Sequence, residues 1–152
     1  MSRITIALAA MLTVALAGCG EKEGSLDELY VTDLTLPNGS KLVVETMRNQ
    51  LDITRGLMFR DSLAPNRGML FFYPKQEAHA HWMYQVKFPV DMIWMDRDHR
   101  IVEMVPDVPP CPSKTAHECP SFGGHVPARF VLEAGTGFIA KNQLQMGDKL
   151  DF

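Results

Sequence analysis

The sequence carries no basic field. Fifteen lysines and arginines stand against eighteen aspartates and glutamates, a formal net charge of −3, and the cations are scattered rather than gathered in a stripe. A nucleic-acid partner is therefore not expected, since such partners are held largely by positive charge. There is no P-loop, no GxGxxG and no HExxH, and Ser62, Ser113 and Ser121 all lack a GxSxG setting. Nucleophilic catalysis has little support, and no cofactor is expected. No internal repeat or long low-complexity segment is visible. The apolar run Ile4 to Leu16 is too short for a comfortable membrane span.

That run is instead of signal-peptide length, behind a single Arg3. It ends in Leu16-Ala17-Gly18-Cys19, which resembles a bacterial lipobox, so residues 1–18 are expected to be removed and Cys19 lipidated. Several acyl chains on one residue anchor stably, at about 0.8 kcal/mol per buried methylene. Residues 19–28, including the polar stretch Gly20 to Ser25, read as a tether, and 29–152 as one domain. The domain is expected outside the cytoplasm, anchored to the cell membrane or the outer membrane. Cys111 and Cys119 then remain as an even pair in an oxidising compartment, inside a loop rich in proline, serine and glycine. A disulfide is the expected outcome; the rival is a metal site with His117 or His125.

The domain centres on His79 to Val105. Val90, Met92 and Trp94 alternate with Asp91, Ile93 and Met95, the period of a strand with two faces. Asp96 to His99 is a polar break, and Ile101 to Val105 resumes the alternation, so a hairpin is predicted. A second hairpin is predicted from Tyr30–Leu36 and Lys41–Thr46, joined by Pro37-Asn38-Gly39-Ser40. Gln50 to Phe59 changes period and reads as a short helix, weakened by Gly56. Gly68–Phe72, Phe130–Glu133 and Lys149–Phe152 read as strands, and Gly135 to Asn142 as a helical turn or two. The expected fold is mainly β (α+β), a barrel-like or sandwich domain with one or two short helices.

Six motifs occur in order: Arg55-Gly56-Leu57-Met58-Phe59-Arg60, Gly68-Met69-Leu70-Phe71-Phe72, Trp82-Met83, Phe88-Pro89-Val90-Asp91, Val131-Leu132-Glu133 and Gly147-Asp148. In this the chain resembles the family called domain of unknown function 192, small and often exported prokaryotic domains. The resemblance implies a compact strand-rich fold and no established activity. Tyr84-Gln85 stands where many members carry lysine and asparagine, and the loop from Cys111 to Cys119 looks like a subgroup feature.

Three function classes remain. The leading one is a non-catalytic envelope module binding a small ligand, a glycan or a protein through a cleft near Arg60, Trp82, Asp91 and Glu133. Its mark is an exposed aromatic beside those polar groups. Asp91 lies in an apolar strand and needs a partner, with Arg60 or Arg55 the candidates. The second class is copper handling: His79, His81 and Met83 offer two imidazoles and a thioether, ligands suited to Cu(I), although methionine is also a common core filler. The third is a hydrolase using Asp91 and Glu133 as an acid–base pair, which requires both to line one pocket.

Overall fold

The computed structural model describes residues 30–152; the leader, Cys19 and the tether lie outside them. Six strands form one mixed sheet in the order β1 (Val31–Thr35), β2 (Lys41–Met47), β3 (Arg67–Glu77), β8 (Ala128–Gly135), β5 (Val90–Met95) and β6 (Ile101–Val108). β4 (His81–Trp82) and β7 (Ser121–Phe122) make a separate two-stranded ribbon. Among the described strands only β2 and β3 pair in parallel, and the chain between them contains helix α1 (Gln50–Arg55). Helix α2 (Phe138–Lys141) follows β8.

Both predicted hairpins form. β5 and β6 are joined by the polar break, where Asp96 Oδ1 accepts from the amides of Asp98 and Arg100, and His99 takes a positive φ. At the other hairpin Gly39 has φ 81° and Asn38 Oδ1 accepts from the Ser40 amide. The first helix is shorter than its sequence period implies. Asn49 caps it by accepting from the Asp52 amide, and it stops at Gly56 (φ 43°), where a Cβ would press within 3.2 Å of the Phe71 ring.

Three differences from the sequence reading matter. β3 runs on to Glu77, past the apolar stretch, and so carries Tyr73 toward the β4–β7 ribbon. The ribbon itself is too short to give a sequence period. The expected last strand exists only as two isolated bridges, Arg100 to Lys149 and Thr35 to Asp151. Through them the C-terminal segment ties the β5–β6 turn to the end of β1, and the sheet is not closed as a barrel.

Every residue of β5 is buried, because the sheet has a core on each face. Ile93 and Met95 join Leu34, Val44, Leu70, Leu132 and Leu150 on one side. Met92 and Trp94 join Leu57, Met69, Phe71, Met83 and Val131 on the other. Burying such side chains contributes roughly 1.5–3 kcal/mol each. Gly123 (φ 60°) passes directly over Trp94, where a Cβ would lie 2.3 Å from the indole. Among the described residues no helix is long and apolar enough to cross a membrane. Cys111 and Cys119 are disulfide-bonded, which fits an oxidising, exported compartment.

Candidate binding site

The four residues expected to share a cleft are divided among three places. The reason is strand parity. Cross-strand partners share a face and neighbours along a strand alternate. Asp91 pairs with Ala134, and Met92 pairs with Glu133. Asp91 and Glu133 therefore project from opposite faces of the sheet and cannot flank one substrate as a hydrolytic pair.

Asp91 is fully buried and its partner is backbone, not arginine. Oδ1 accepts from the amides of Asp107 at 2.9 Å and Gly137 at 3.3 Å, and Oδ2 from Ile139 at 2.8 Å. The Asp107 amide is offered because β6 bulges there: Val90 faces Val108 but Met92 faces Val105, and Asp107 takes φ 51°. One carboxylate thus ties β5, the bulge of β6 and the start of α2. Arg60, the expected partner, instead forks onto Glu45, with Nη1–Oε1 2.6 Å and Nη2–Oε2 2.7 Å.

Glu133 pairs with His81: Nδ1 lies 2.8 Å from Oε1, and Nε2 lies 2.9 Å from the Tyr73 hydroxyl. The consistent assignment has Tyr73 donating to Nε2 and Nδ1–H donating to the carboxylate. Burial, with the charge of Glu133 adding to it, holds the Tyr73 phenol well above its ordinary value, so Tyr73 acts as a neutral donor. The three candidate copper ligands are otherwise engaged in this arrangement. Both ring nitrogens of His81 are engaged, Met83 is fully buried in the core, and His79 stacks on Tyr73 with its Nε2 3.1 Å from the Lys75 carbonyl.

Trp82, partly exposed, lies with His81, Glu133 and Tyr84 at a cavity of about 30 Å³. That volume is of the order of one water molecule. The far wall of this cavity is Arg55 to Met58, and the other side of the same segment faces a much larger opening.

That opening is an open cleft of about 730 Å³ between β2, α1 and the loop after it, lined by residues including Tyr30, Met47, Met58 and Phe59. Its charged groups are Arg55, Arg60 and Arg67 against Glu45 and Asp52. The Arg60 hydrogen bond, opposed by burial and aided by the charges of Arg60 and Arg67, holds the Glu45 carboxyl below its ordinary range. Glu45 is thus committed to Arg60. Among the described residues Arg55 and Arg67 form no ion pair. Phe59 stands 61% exposed at the rim, with a φ of 65°. Left-handed backbone is unusual for a bulky side chain, and here it is fixed by the Phe59 amide donating to the Gln85 carbonyl at 2.9 Å. Phe59 is thus an exposed aromatic beside Arg60, whereas Asp91, expected in the same cleft, is buried in the sheet and Trp82 and Glu133 lie at the smaller cavity. Glu45 and Arg67 were not singled out from the sequence. The available signal was an acid alternating with Val43 and Met47 on one face of β2.

A family model, DUF192, described as an uncharacterized ACR, matches residues 34–152. No curated protein matches the chain. Among solved structures, a Sinorhizobium meliloti protein provisionally described as a transcription regulator is 26% identical, with a TM-score of 0.68 over 78% of this chain and 89% of that one. A protein of unknown function from Novosphingobium aromaticivorans is 25% identical, with a TM-score of 0.70 over 80% and 85% of the two chains.

Proposed function

The chain belongs to the DUF192 family, an uncharacterized one, and we propose that it is an envelope lipoprotein, tethered through Cys19, that binds a ligand or partner without catalysis. The binding site is the cleft of Arg55, Arg60 and Arg67, and the ligand carries an anionic group beside an apolar one. The observation that carries this reading is the pairing of two uncommitted arginines with an exposed Phe59 held in strained backbone at the cleft rim. Strain of this kind costs about 1–3 kcal/mol and collects at ligand-contacting positions. Glu45 supports the reading from within: it shows how a carboxylate seats on this arginine cluster, bidentate on Arg60.

A regulator acting on nucleic acid is not proposed, because the net charge is −3 and the cations are scattered along the sequence. The tether is tested by Cys19→Ser, which is expected to abolish acyl labelling and membrane fractionation; unchanged labelling refutes it. The cleft is tested by melting the protein with sn-glycerol 1-phosphate and with succinate. A binder at a hundredfold excess over Kd stabilises by about 2.7 kcal/mol. At least one probe is expected to raise the Tm of the parent and not of the Arg55→Gln, Arg67→Gln double variant. No shift with either probe refutes an anion-binding cleft.

A further inference from the structure

The cleft opens beside the point where the chain enters the domain, and the inference below rests on the tether and cleft readings just given. We propose that the face formed by Tyr30, α1 and the loop to Arg60 docks on the anionic surface of the bilayer that holds the anchor. Arg55 and Arg67 would meet headgroup phosphates while Leu51, Phe59 and Tyr30 enter the interface.

Reach is the first observation. Ten residues, hence eleven Cα-to-Cα steps, separate Cys19 from Tyr30, and Tyr30 itself lines the cleft. Covalent geometry limits that many steps to about 40 Å, roughly the diameter of a domain of this size. The domain therefore stays within about one diameter of the membrane, with the face bearing Tyr30 on its leash.

Apolar exposure is the second. Of six large apolar side chains exposed among the described residues, Tyr30 (45%), Leu51 (76%) and Phe59 (61%) belong to this face. Leu51 stands one helical turn before Arg55, so the two share a side of α1. Trp82, a fourth, lies with Tyr84 across the Arg55–Met58 segment. Leucine and phenylalanine beside arginine, bordered by tryptophan and tyrosine, is the composition that settles at a bilayer interface.

Charge is the third. The chain as a whole is anionic, yet three arginines face two carboxylates in the cleft, and one of those carboxylates is committed to Arg60. The surplus in the cleft is one positive charge, while the tether itself carries Glu21, Glu23, Asp27 and Glu28 against Lys22; the attraction to anionic lipid is therefore local to the arginines of the cleft. The shared chemistry is a phosphate monoanion or diester, and the docking surface commits to the lipid as its source.

The test uses the full chain as cells process it, with acylation of Cys19 read beforehand from the intact mass. The protein is reconstituted into vesicles of phosphatidylcholine, with or without phosphatidylglycerol, and amide hydrogen exchange is followed over residues 50–60. With phosphatidylglycerol, exchange there is expected to slow roughly tenfold while β5 is unchanged. The protection should vanish at about 0.5 M salt and in the Leu51→Ser, Phe59→Ser variant, whose side chains are exposed and whose melting should match the parent. Equal exchange on the two vesicle types overturns the proposal. Protection by soluble sn-glycerol 1-phosphate but not by phosphatidylglycerol vesicles overturns docking while leaving the anion-binding cleft intact. If neither protects, docking and the cleft reading fall together.

Discussion

Asp91→Asn isolates what the buried carboxylate does. In the parent three backbone amides converge on it, from Asp107, Gly137 and Ile139. Asparagine keeps one carbonyl oxygen, enough for the Asp107 and Gly137 side. It places an NH₂ against the Ile139 amide, donor against donor. One charge-assisted bond, worth about 1.5–3 kcal/mol, is lost and a buried N–H is left unpaired. Relief of the desolvation of a buried charge returns part of that cost. The expected net loss is about 2–3 kcal/mol, and for Asp91→Ala, which orphans all three donors, about 3–5 kcal/mol. For a domain of this size that lowers the Tm of Asp91→Asn by roughly 10 °C. Urea denaturation should show a lower midpoint at unchanged m. Because Arg60 holds Glu45 and not Asp91, Asp91→Asn and Arg60→Gln should add to within about 0.5 kcal/mol. An Asp91→Asn melt within about 2 °C of the parent, or a strong coupling to Arg60, would refute the reasoning.

In the Glu45→Gln, Arg60→Gln cycle a coupling of about 1 kcal/mol is expected, as for a partly buried bidentate pair. Since the folded Glu45 carboxyl lies below its ordinary 4.5, that contribution should be complete above about pH 4.5 and be lost as pH falls through the folded value, read by urea midpoints against pH. Gly123→Ala should cost at least about 2 kcal/mol, through the Trp94 clash and the positive φ together; a parental melt and near-UV spectrum would contradict it. Cys111→Ser should cost about 2–3 kcal/mol on the chain-entropy model, and free thiols in mass spectra of the non-reduced parent would show that the bridge does not form.

The hairpins, the helix after Arg48 and the two-faced strand β5 were legible because each is a local pattern. Alternation names a strand, Asn-Gly names a turn, and an apolar residue at every position of one face names a core. The cysteine pair was legible from its count and setting. The partners of Asp91, Glu133 and Arg60 were not. Sequence gives the parity of a residue within its own strand but not the register between strands. The pairing of Met92 with Glu133 is what puts Asp91 and Glu133 on opposite sides. Tyr73 was hidden for a related reason: β3 outruns its apolar stretch, and only the β4–β7 ribbon brings His81 back to it.

These pairings separate the motif residues into those that the fold explains and those that it does not. Asp91 is accounted for by three amides, Glu133 by His81, Leu57 by the core and Gly56 by its φ and its contact with Phe71. Each sits where a different residue would cost stability. Phe59 is the reverse case. Its ring is largely exposed, and its backbone is held in a conformation that a bulky side chain resists. Stability alone would favour glycine or asparagine at such a φ. Phe59→Gly is therefore expected to leave the stability unchanged or raise it by about 0.5–1 kcal/mol, while lowering whatever binding the cleft performs. A large loss of stability in that variant would mean that Phe59 serves the fold, and would remove the main support for placing function at this cleft.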